Sequence, residues 1–174
     1  MKILIAYSSK NGTSYTCAKM LSQKLASSLE FDLVDLAKDT PDPSEYDIAV
    51  VGGAIRMERL DKKVRAFLKT NIATLSSMPS ALYILCGFSE NFDEYASTEP
   101  PRGLTLSLGI HHFGGELKPE KLHGFDKIAV WLMRNSIKSR ELGEKCTEVY
   151  SLPEIIPENI ALLAEKIRDV AFKS

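Results

Sequence analysis

Seven consecutive residues, Ser8-Ser9-Lys10-Asn11-Gly12-Thr13-Ser14, carry hydroxyls, an amide and one glycine between an apolar run and a helical pattern. A loop that opens a helix points its free backbone N–H groups and the positive end of the helix dipole at whatever sits in it. With Ser and Thr hydroxyls added, such a loop can hold a phosphate without Mg²⁺ or a full positive charge. The nucleotide P-loop pattern G-x-x-x-x-G-K-[ST] and the dinucleotide pattern G-x-G-x-x-G are both absent. Read alone, the same residues serve equally well as an ordinary turn and helix cap. Other reactive side chains give less. Cys17, Cys86 and Cys146 are far apart in sequence and odd in number, which fits a reducing compartment and no disulfide framework. Cys86, at a strand end, reads as a small buried hydrophobe. His111 and His112 are adjacent on an expected strand, so their side chains point to opposite faces and make a poor metal pair.

The elements that must position these residues alternate between short apolar runs and longer helical patterns. Ile3–Tyr7 is a strand buried on both faces. From Ser14, Cys17, Leu21, Leu25 and Leu29 recur every four residues, one face of a helix. Phe31–Leu36 is a second strand, followed by a loop at Pro41-Asp42-Pro43-Ser44 with no room for a full crossover helix. Tyr46–Val51 is a third strand ending at Gly52-Gly53. Asp61 caps a helix with Val64, Phe67 and Leu68 on one face. Ala81–Cys86 is a fourth strand ending at Gly87. Residues 88–101 are expected to form a long loop, with a short helix starting at Pro100-Pro101. Ile110–Leu117 is a fifth strand, which Gly114-Gly115 would bulge or bring close to a ligand. Phe125–Ile137 has a helical pattern, and Pro157 opens a last helix whose face is Ile160, Leu163, Ala164, Ile167 and Val170. The order is that of an α/β domain around a parallel sheet. Ligands of such sheets bind at the carboxyl ends of the strands, where the strand order reverses. The loops after Tyr7, Val51 and Cys86 are therefore the candidates.

Ser9, Asn11, Gly12 and Ser14 match the pattern [ST]-x-[TDN]-G-x-[TS] after a first strand, and so resemble the phosphate loop of the flavodoxin family. The segment Tyr46-Asp47-Ile48-Ala49-Val50-Val51-Gly52-Gly53-Ala54-Ile55-Arg56 is similar to that of flavodoxin-type protoporphyrinogen oxidases, as is Ser77-Met78-Pro79-Ser80-Ala81-Leu82-Tyr83 before the fourth strand. The likeness covers residues 1 to about 87. It implies one flavodoxin-like domain over residues 1–174, a three-layer sandwich with a five-stranded parallel sheet in the order 2-1-3-4-5. It implies FMN as cofactor, its phosphate on Ser8, Ser9, Lys10, Asn11, Gly12, Thr13 and Ser14. Ala54, Ile55, Arg56 and Met57 would flank the isoalloxazine ring, with Arg56 near the charge of the reduced ring. Gly87, Phe88, Ser89 and Asn91 would lie on its other side, Phe88 stacking on the ring or tucked into the core. The activity implied is that of an FMN-dependent oxidoreductase passing electrons from a porphyrinogen-type substrate to a quinone. The alternative is a non-enzymatic electron carrier, docking through an acidic patch at Glu90, Asp93, Glu94 and Glu99. A third reading is a flavodoxin-like fold that has lost its flavin and serves as an interaction module. The segment Lys118–Arg140 departs from the oxidase family, with Glu116, Pro119 and Glu120 where that family is richer in Tyr and Arg.

Bulk properties narrow the partners. The chain has 174 residues, 44% hydrophobic and 26% charged, with a net charge of -1. That composition folds, and the near-zero charge gives no bias toward nucleic acid. No stretch reaches the roughly 18 apolar residues of a membrane span, so no integral membrane segment is expected, and peripheral contact stays open. The expected partners are a redox protein or a quinone- or porphyrinogen-type substrate, the compartment is the cytoplasm, and the chain is a monomer or a homodimer.

Overall fold

A computed structural model describes residues 1–26, 29–87, 89–115 and 154–173. Five strands run parallel in the order β2-β1-β3-β5-β6: β1 (Lys2–Tyr7), β2 (Glu30–Asp35), β3 (Ile48–Arg56), β5 (Ser80–Leu85) and β6 (Gly109–His112). A short β4 (Arg59–Leu60) folds back antiparallel on the end of β3. Counting the parallel strands alone, this is the expected order 2-1-3-4-5.

The alternation of side chains along each strand explains the helices on both faces. Ile3, Ile5, Ile48, Val50, Ala81 and Tyr83 point one way and pack against α1 (Thr13–Leu25) and α5 (Pro157–Lys173). Leu4, Ala6, Ala49, Val51, Leu82 and Ile84 point the other way, against α2 (Lys62–Thr70) and α3 (Ile72–Ser77). The central strands are thus buried on both faces, which is why they read as continuous apolar runs. α1 presents Cys17, Leu21 and Leu25 to the sheet as its periodicity requires; Leu29, beyond the helix, still packs against the same core. In α2 the Asp61 carboxylate accepts the Lys63 amide at 2.9 Å, the expected cap. α5 begins at Pro157 and buries Ile160, Leu163, Ala164 and Ile167, with Val170 half-buried. Between β2 and β3 there is only a 3-10 turn at Pro43–Glu45, capped by Asp42.

Several expectations need correction. β3 does not end at Gly52-Gly53 but runs on to Arg56. The glycines are there for close approach: a Cβ on Gly52 would fall inside the Tyr83 ring, and one on Gly53 would lie 2.8 Å from a Val64 methyl. They thin the strand without breaking it. Residues 89–98 are not a loop. They form a 3-10 turn (Ser89–Asn91) and α4 (Phe92–Thr98), opened by Asp93 and Glu94 in the first turn. These acidic residues suit a helix N-terminus. Pro100 and Pro101 follow that helix instead of starting one. β6 stops at His112, four residues long, and Gly114 makes an isolated antiparallel bridge with Ile155. Gly114 has φ +79, and a Cβ there would strike the Glu154 carbonyl oxygen. The helical pattern at Phe125–Ile137 and the segment Lys118–Arg140 lie outside the described residues.

Gly52 carries a direct test. Gly52→Ala forces a methyl into a ring that is fully buried, and overpacking of that kind costs about 1–3 kcal/mol. A loss at the top of that range is expected in urea unfolding followed by circular dichroism. A loss below about 0.5 kcal/mol, the scale of a neutral surface change, would contradict the packing described.

Candidate functional site

The register of the sheet brings three chain segments to one edge. Tyr7, Gly52 and Tyr83 are level on β1, β3 and β5, and Ala54 is level with Leu85. β1 and β5 therefore end beside the residues of β3 that run on past them. The Ser8 amide continues the ladder, donating to the Gly52 carbonyl at 3.1 Å.

The first segment is Ser8–Ser14. Ser8, Thr13 and Ser14 are buried, Ser9, Asn11 and Gly12 are half-buried, and Lys10 is exposed. Gly12 is the N-cap of α1 in a left-handed conformation (φ 89), where glycine carries no steric penalty. It has no side chain to cap the helix, no side-chain cap hydrogen bond is made among the described residues, and the first turn holds no acidic residue. Thr16 turns its hydroxyl back to the Gly12 carbonyl at 3.1 Å, alongside the ordinary helical bond from its amide. The first-turn N–H groups thus face the loop uncapped, and an anion suits them. The turn is pinned from below. Tyr83, buried in the sheet, donates its hydroxyl to the Ser14 carbonyl at 2.9 Å. Phe113 stacks on the other side of that ring, centroids 4.7 Å apart. Burial pushes the Tyr83 phenol well above its ordinary pKa, so it stays a donor.

The second segment was expected to be a loop at Ala54-Ile55-Arg56-Met57. Ala54, Ile55 and Arg56 are instead the last residues of β3, half-buried, and only Met57 stands in the turn. Ile55 pairs with Leu60 and Arg56 with Arg59 across a two-residue turn, Met57-Glu58. Both turn residues have positive φ, 48 and 61. That is the hairpin turn whose twist matches the strands, usually built from Asn-Gly. Each left-handed residue with a Cβ costs roughly 1–2 kcal/mol, more than so short a ladder returns. Met57, 91% exposed, stands at the tip.

The hairpin is held from outside. Glu99, just past α4, is buried, and one carboxylate oxygen accepts the Leu60 amide at 2.9 Å. The other accepts the Arg59 Nε–H at 2.9 Å; Arg65 Nε lies 3.9 Å from the first oxygen while donating to the Leu60 carbonyl. A hydrogen bond to a charged acceptor contributes about 1.5–3 kcal/mol; the one from Arg59, whose side chain is largely in water, belongs at the low end. Two such bonds are enough to offset the turn. Glu99 is therefore not part of an exposed acidic patch. Glu90, Asp93 and Glu94 are exposed, as that patch would require. Nothing in the sequence near Glu99 signals the contact, which joins residues 39 and 40 positions apart.

The third segment runs from Cys86 to Asn91. Gly87 and Ser89 are exposed and Asn91 is half-buried; Phe88 lies outside the described residues. His112 anchors it twice. Its Nε2 donates to the Cys86 carbonyl at 3.1 Å, and its ring stacks on Phe92 at 5.0 Å. Asn159 of α5 donates in turn to the His112 carbonyl at 2.7 Å. His111 goes elsewhere: its Nε2 donates to the Leu108 carbonyl at 2.8 Å, and burial lowers its pKa, leaving it neutral at pH 7. Gly115 lies so close that a Cβ there would be 3.0 Å from the Cys86 carbonyl. Glu154, where the described chain resumes, accepts the Gly115 amide at 3.1 Å. Among the described residues no cluster of His, Cys, Asp and Glu could hold a metal, and no helix is long and apolar enough to cross a membrane.

This architecture has known counterparts. The sequence profile of the flavodoxin domain family matches residues 4–141. Protoporphyrinogen IX dehydrogenase (quinone) of Escherichia coli K12 is 31% identical over 85 residues, which cover 48% of this chain and 47% of that protein. The chain thus spans about half the length of the curated relatives it matches. Among solved structures, a flavodoxin of Streptococcus pneumoniae TIGR4 superposes with a TM-score of 0.53 at 18% identity, covering 100% of both chains. Flavodoxin 2 of Bacillus cereus gives a TM-score of 0.49 at 20% identity, over 80% of this chain and 99% of that one. At 18% identity the Streptococcus likeness is one of fold.

Cys86 offers a test of the third segment. Burial first, and then the nearby Glu90 charge, push its thiol up to about 11. At pH 8 its thiolate fraction is then roughly a hundredfold below that of an ordinary exposed thiol. Alkylation of the native protein by iodoacetamide, read at Cys86 by peptide mass spectrometry, should be correspondingly slow at pH 8. It should rise about tenfold per pH unit up to pH 10. Modification at the rate seen in the unfolded chain would contradict the burial of this strand end.

Proposed function

The chain belongs to the flavodoxin domain family, and on that premise we propose that it binds FMN and works as an FMN-dependent oxidoreductase, taking electrons from a porphyrinogen-type substrate and passing them to a quinone. The observation that carries the reading is the uncapped first turn of α1, with Gly12 in the left-handed conformation and hydroxyl side chains on both sides of it. It fits the cofactor's phosphate. The turn offers N–H donors and dipole, has no carboxylate to repel a dianion, and keeps Lys10 exposed as a nearby cation.

In this reading Ser8, Ser9, Lys10, Asn11, Gly12, Thr13 and Ser14 form the phosphate cradle. Ala54, Ile55, Arg56 and Met57 bound the ring on one side. Gly87, Ser89 and Asn91, with Phe88 between them in sequence, bound it on the other. A flat ring needs apolar packing and a few fixed polar groups. The end of β3 supplies both, with Ile55 and Met57 as packing and strand amides as donors. In this reading Arg56 is the cation near the reduced ring's negative charge, which would favour the reduced state and raise the potential of the bound couple. When bound, FMN supplies the redox chemistry itself; the residues named here hold it, orient it and set its potential. The quinone and porphyrinogen assignments rest on the match to the Escherichia coli dehydrogenase, which covers 85 residues, about half of each chain.

The visible spectrum of the purified protein with and without FMN, beside that of Gly12→Asp, tests the proposal. The aspartate adds a carboxylate to the cradle and a Cβ at φ 89. Flavin bands in the wild type and a loss of affinity of at least about a hundredfold in the variant, equivalent to about 2.7 kcal/mol, are expected. A featureless spectrum that FMN leaves unchanged would overturn the reading. A redox titration separates enzyme from carrier. Reduction in one two-electron step supports the enzyme, and two well-separated one-electron steps would favour the carrier.

A further inference from the structure

We propose that Glu99 is a positioning residue that sets the gap between the hairpin at Met57-Glu58 and the turn Ser89–Asn91, and through that gap the redox potential of the ring held there; the inference rests on the FMN reading. Three observations converge on it.

The first is that the tip of the hairpin is strained. It has two ladder pairs and two non-glycine residues at positive φ. At its base Leu60 is buried in the core, and the Asp61 amide donates to the Ala54 carbonyl at 3.1 Å. Left to itself, such a turn would relax, because the left-handed conformation is disfavoured for side chains such as Met and Glu.

The second is where the constraint comes from. Glu99 is buried and takes its bonds from β4: the backbone of Leu60 and the side chain of Arg59. Arg65 of α2 closes the cluster from the other side, donating to the Leu60 carbonyl. A carboxylate held by a backbone N–H and a guanidinium fixes both distance and direction. The two arginines also balance its charge, so the group is stable out of water.

The third is what lies at the other end of the element that carries Glu99. It caps the carboxyl end of α4, and the Glu99 amide donates to the Tyr95 carbonyl at 3.0 Å, continuing the helix. α4 begins at Phe92, directly after Ser89–Asn91, and Phe92 is stacked on His112, which holds the Cys86 carbonyl. A rigid helix of two turns thus runs from one wall of the candidate ring site to a clamp on the other wall. Because Glu99 grips both, the two walls cannot move apart independently. A ring between them meets a preset gap, and a preset gap discriminates between the oxidised and reduced ring, which differ in charge and shape.

The test compares wild type with Glu99→Gln and Arg59→Gln. The first keeps volume and an acceptor for Leu60 but turns an amide toward Arg59. The second breaks the clamp from the solvent side and leaves the core intact, so it decides the matter if the buried variant fails to fold. The readouts are the FMN Kd, the midpoint potential of bound FMN, the Kd of inorganic phosphate in competition with FMN, and hydrogen exchange of the Leu60 amide. Expected are faster exchange at Leu60, an FMN affinity about tenfold weaker, and an unchanged Kd for phosphate. If one redox state loses ten times more affinity than the other, the two-electron potential moves by about 30 mV. Weaker binding with an unmoved potential would make Glu99 merely structural and overturn the proposal. So would unchanged FMN binding in both variants, or a Leu60 amide that stays protected in both. A wild type that does not bind FMN would instead bring down the cofactor reading, and this inference with it.

Discussion

The absence of a side chain at Gly52 is the constraint on which the mouth of this sheet depends. Tyr83 sits beside it on β5, fully buried, and its ring occupies the space that a Cβ at Gly52 would take. Only from that position does the Tyr83 hydroxyl reach the Ser14 carbonyl. The bond matters because helix α1 has no side-chain cap. A helix end with free N–H groups is ordinarily stabilised by an Asp, Ser or Thr folding over it. Here that stabilisation is given up, leaving the donors available. The first turn is anchored by its carbonyl side instead. The first-turn donors thus stay open to an anion because a tyrosine in the sheet holds the turn from beneath, and the tyrosine fits because its neighbour is glycine.

The second wall of the site follows a different rule. The end of β3 extends past its neighbours and turns back on itself with residues that resist the turn. It is kept in place by a buried carboxylate from another element. One wall is built into the sheet and the other is strapped to it. The sheet-borne wall belongs to the cooperative core. The strapped wall is rooted in the core by Leu60, but its tip at Met57-Glu58 is exposed and depends on charged hydrogen bonds, which is the kind of element that opens locally at lower cost than the whole fold. His112 gives the third segment a comparable strap through the Cys86 carbonyl and the Phe92 ring.

Much of this was legible in the residues. The two-faced burial of the central strands made them continuous apolar runs; α1 announced itself by the four-residue spacing of Cys17, Leu21 and Leu25, and α5 by Pro157 and the apolar face that follows it. The hydroxyl-rich stretch Ser8–Ser14 stood out at a strand-to-helix junction, but alone it read equally well as a turn and cap; the family likeness tipped the balance, and the left-handed backbone at Gly12 emerged only in the structure. What misled was punctuation. Gly52-Gly53 normally signals a strand end, but here it marks close approach by Tyr83 and Val64, residues far away in sequence. Met57-Glu58 carries no turn signature at all, so the hairpin was invisible. Ser89–Thr98 looked like a loop because α4 is short and half-buried, with no apolar stripe long enough to register. Glu99 read as one charge of a surface patch, since nothing local distinguishes a carboxylate that will be buried between two arginines from one in water.

The central claim, that a single mouth formed by the ends of β1, β3 and β5 receives FMN, is tested most directly by backbone amide chemical shifts during titration with inorganic phosphate and then with FMN. Phosphate should shift the amides of Ser9–Ser14 alone. FMN should shift the same set and add those of Ala54–Met57 and Gly87–Asn91, with the interior of the sheet unmoved. Shifts on another surface, or FMN-induced shifts that spare the first turn of α1, would contradict the account.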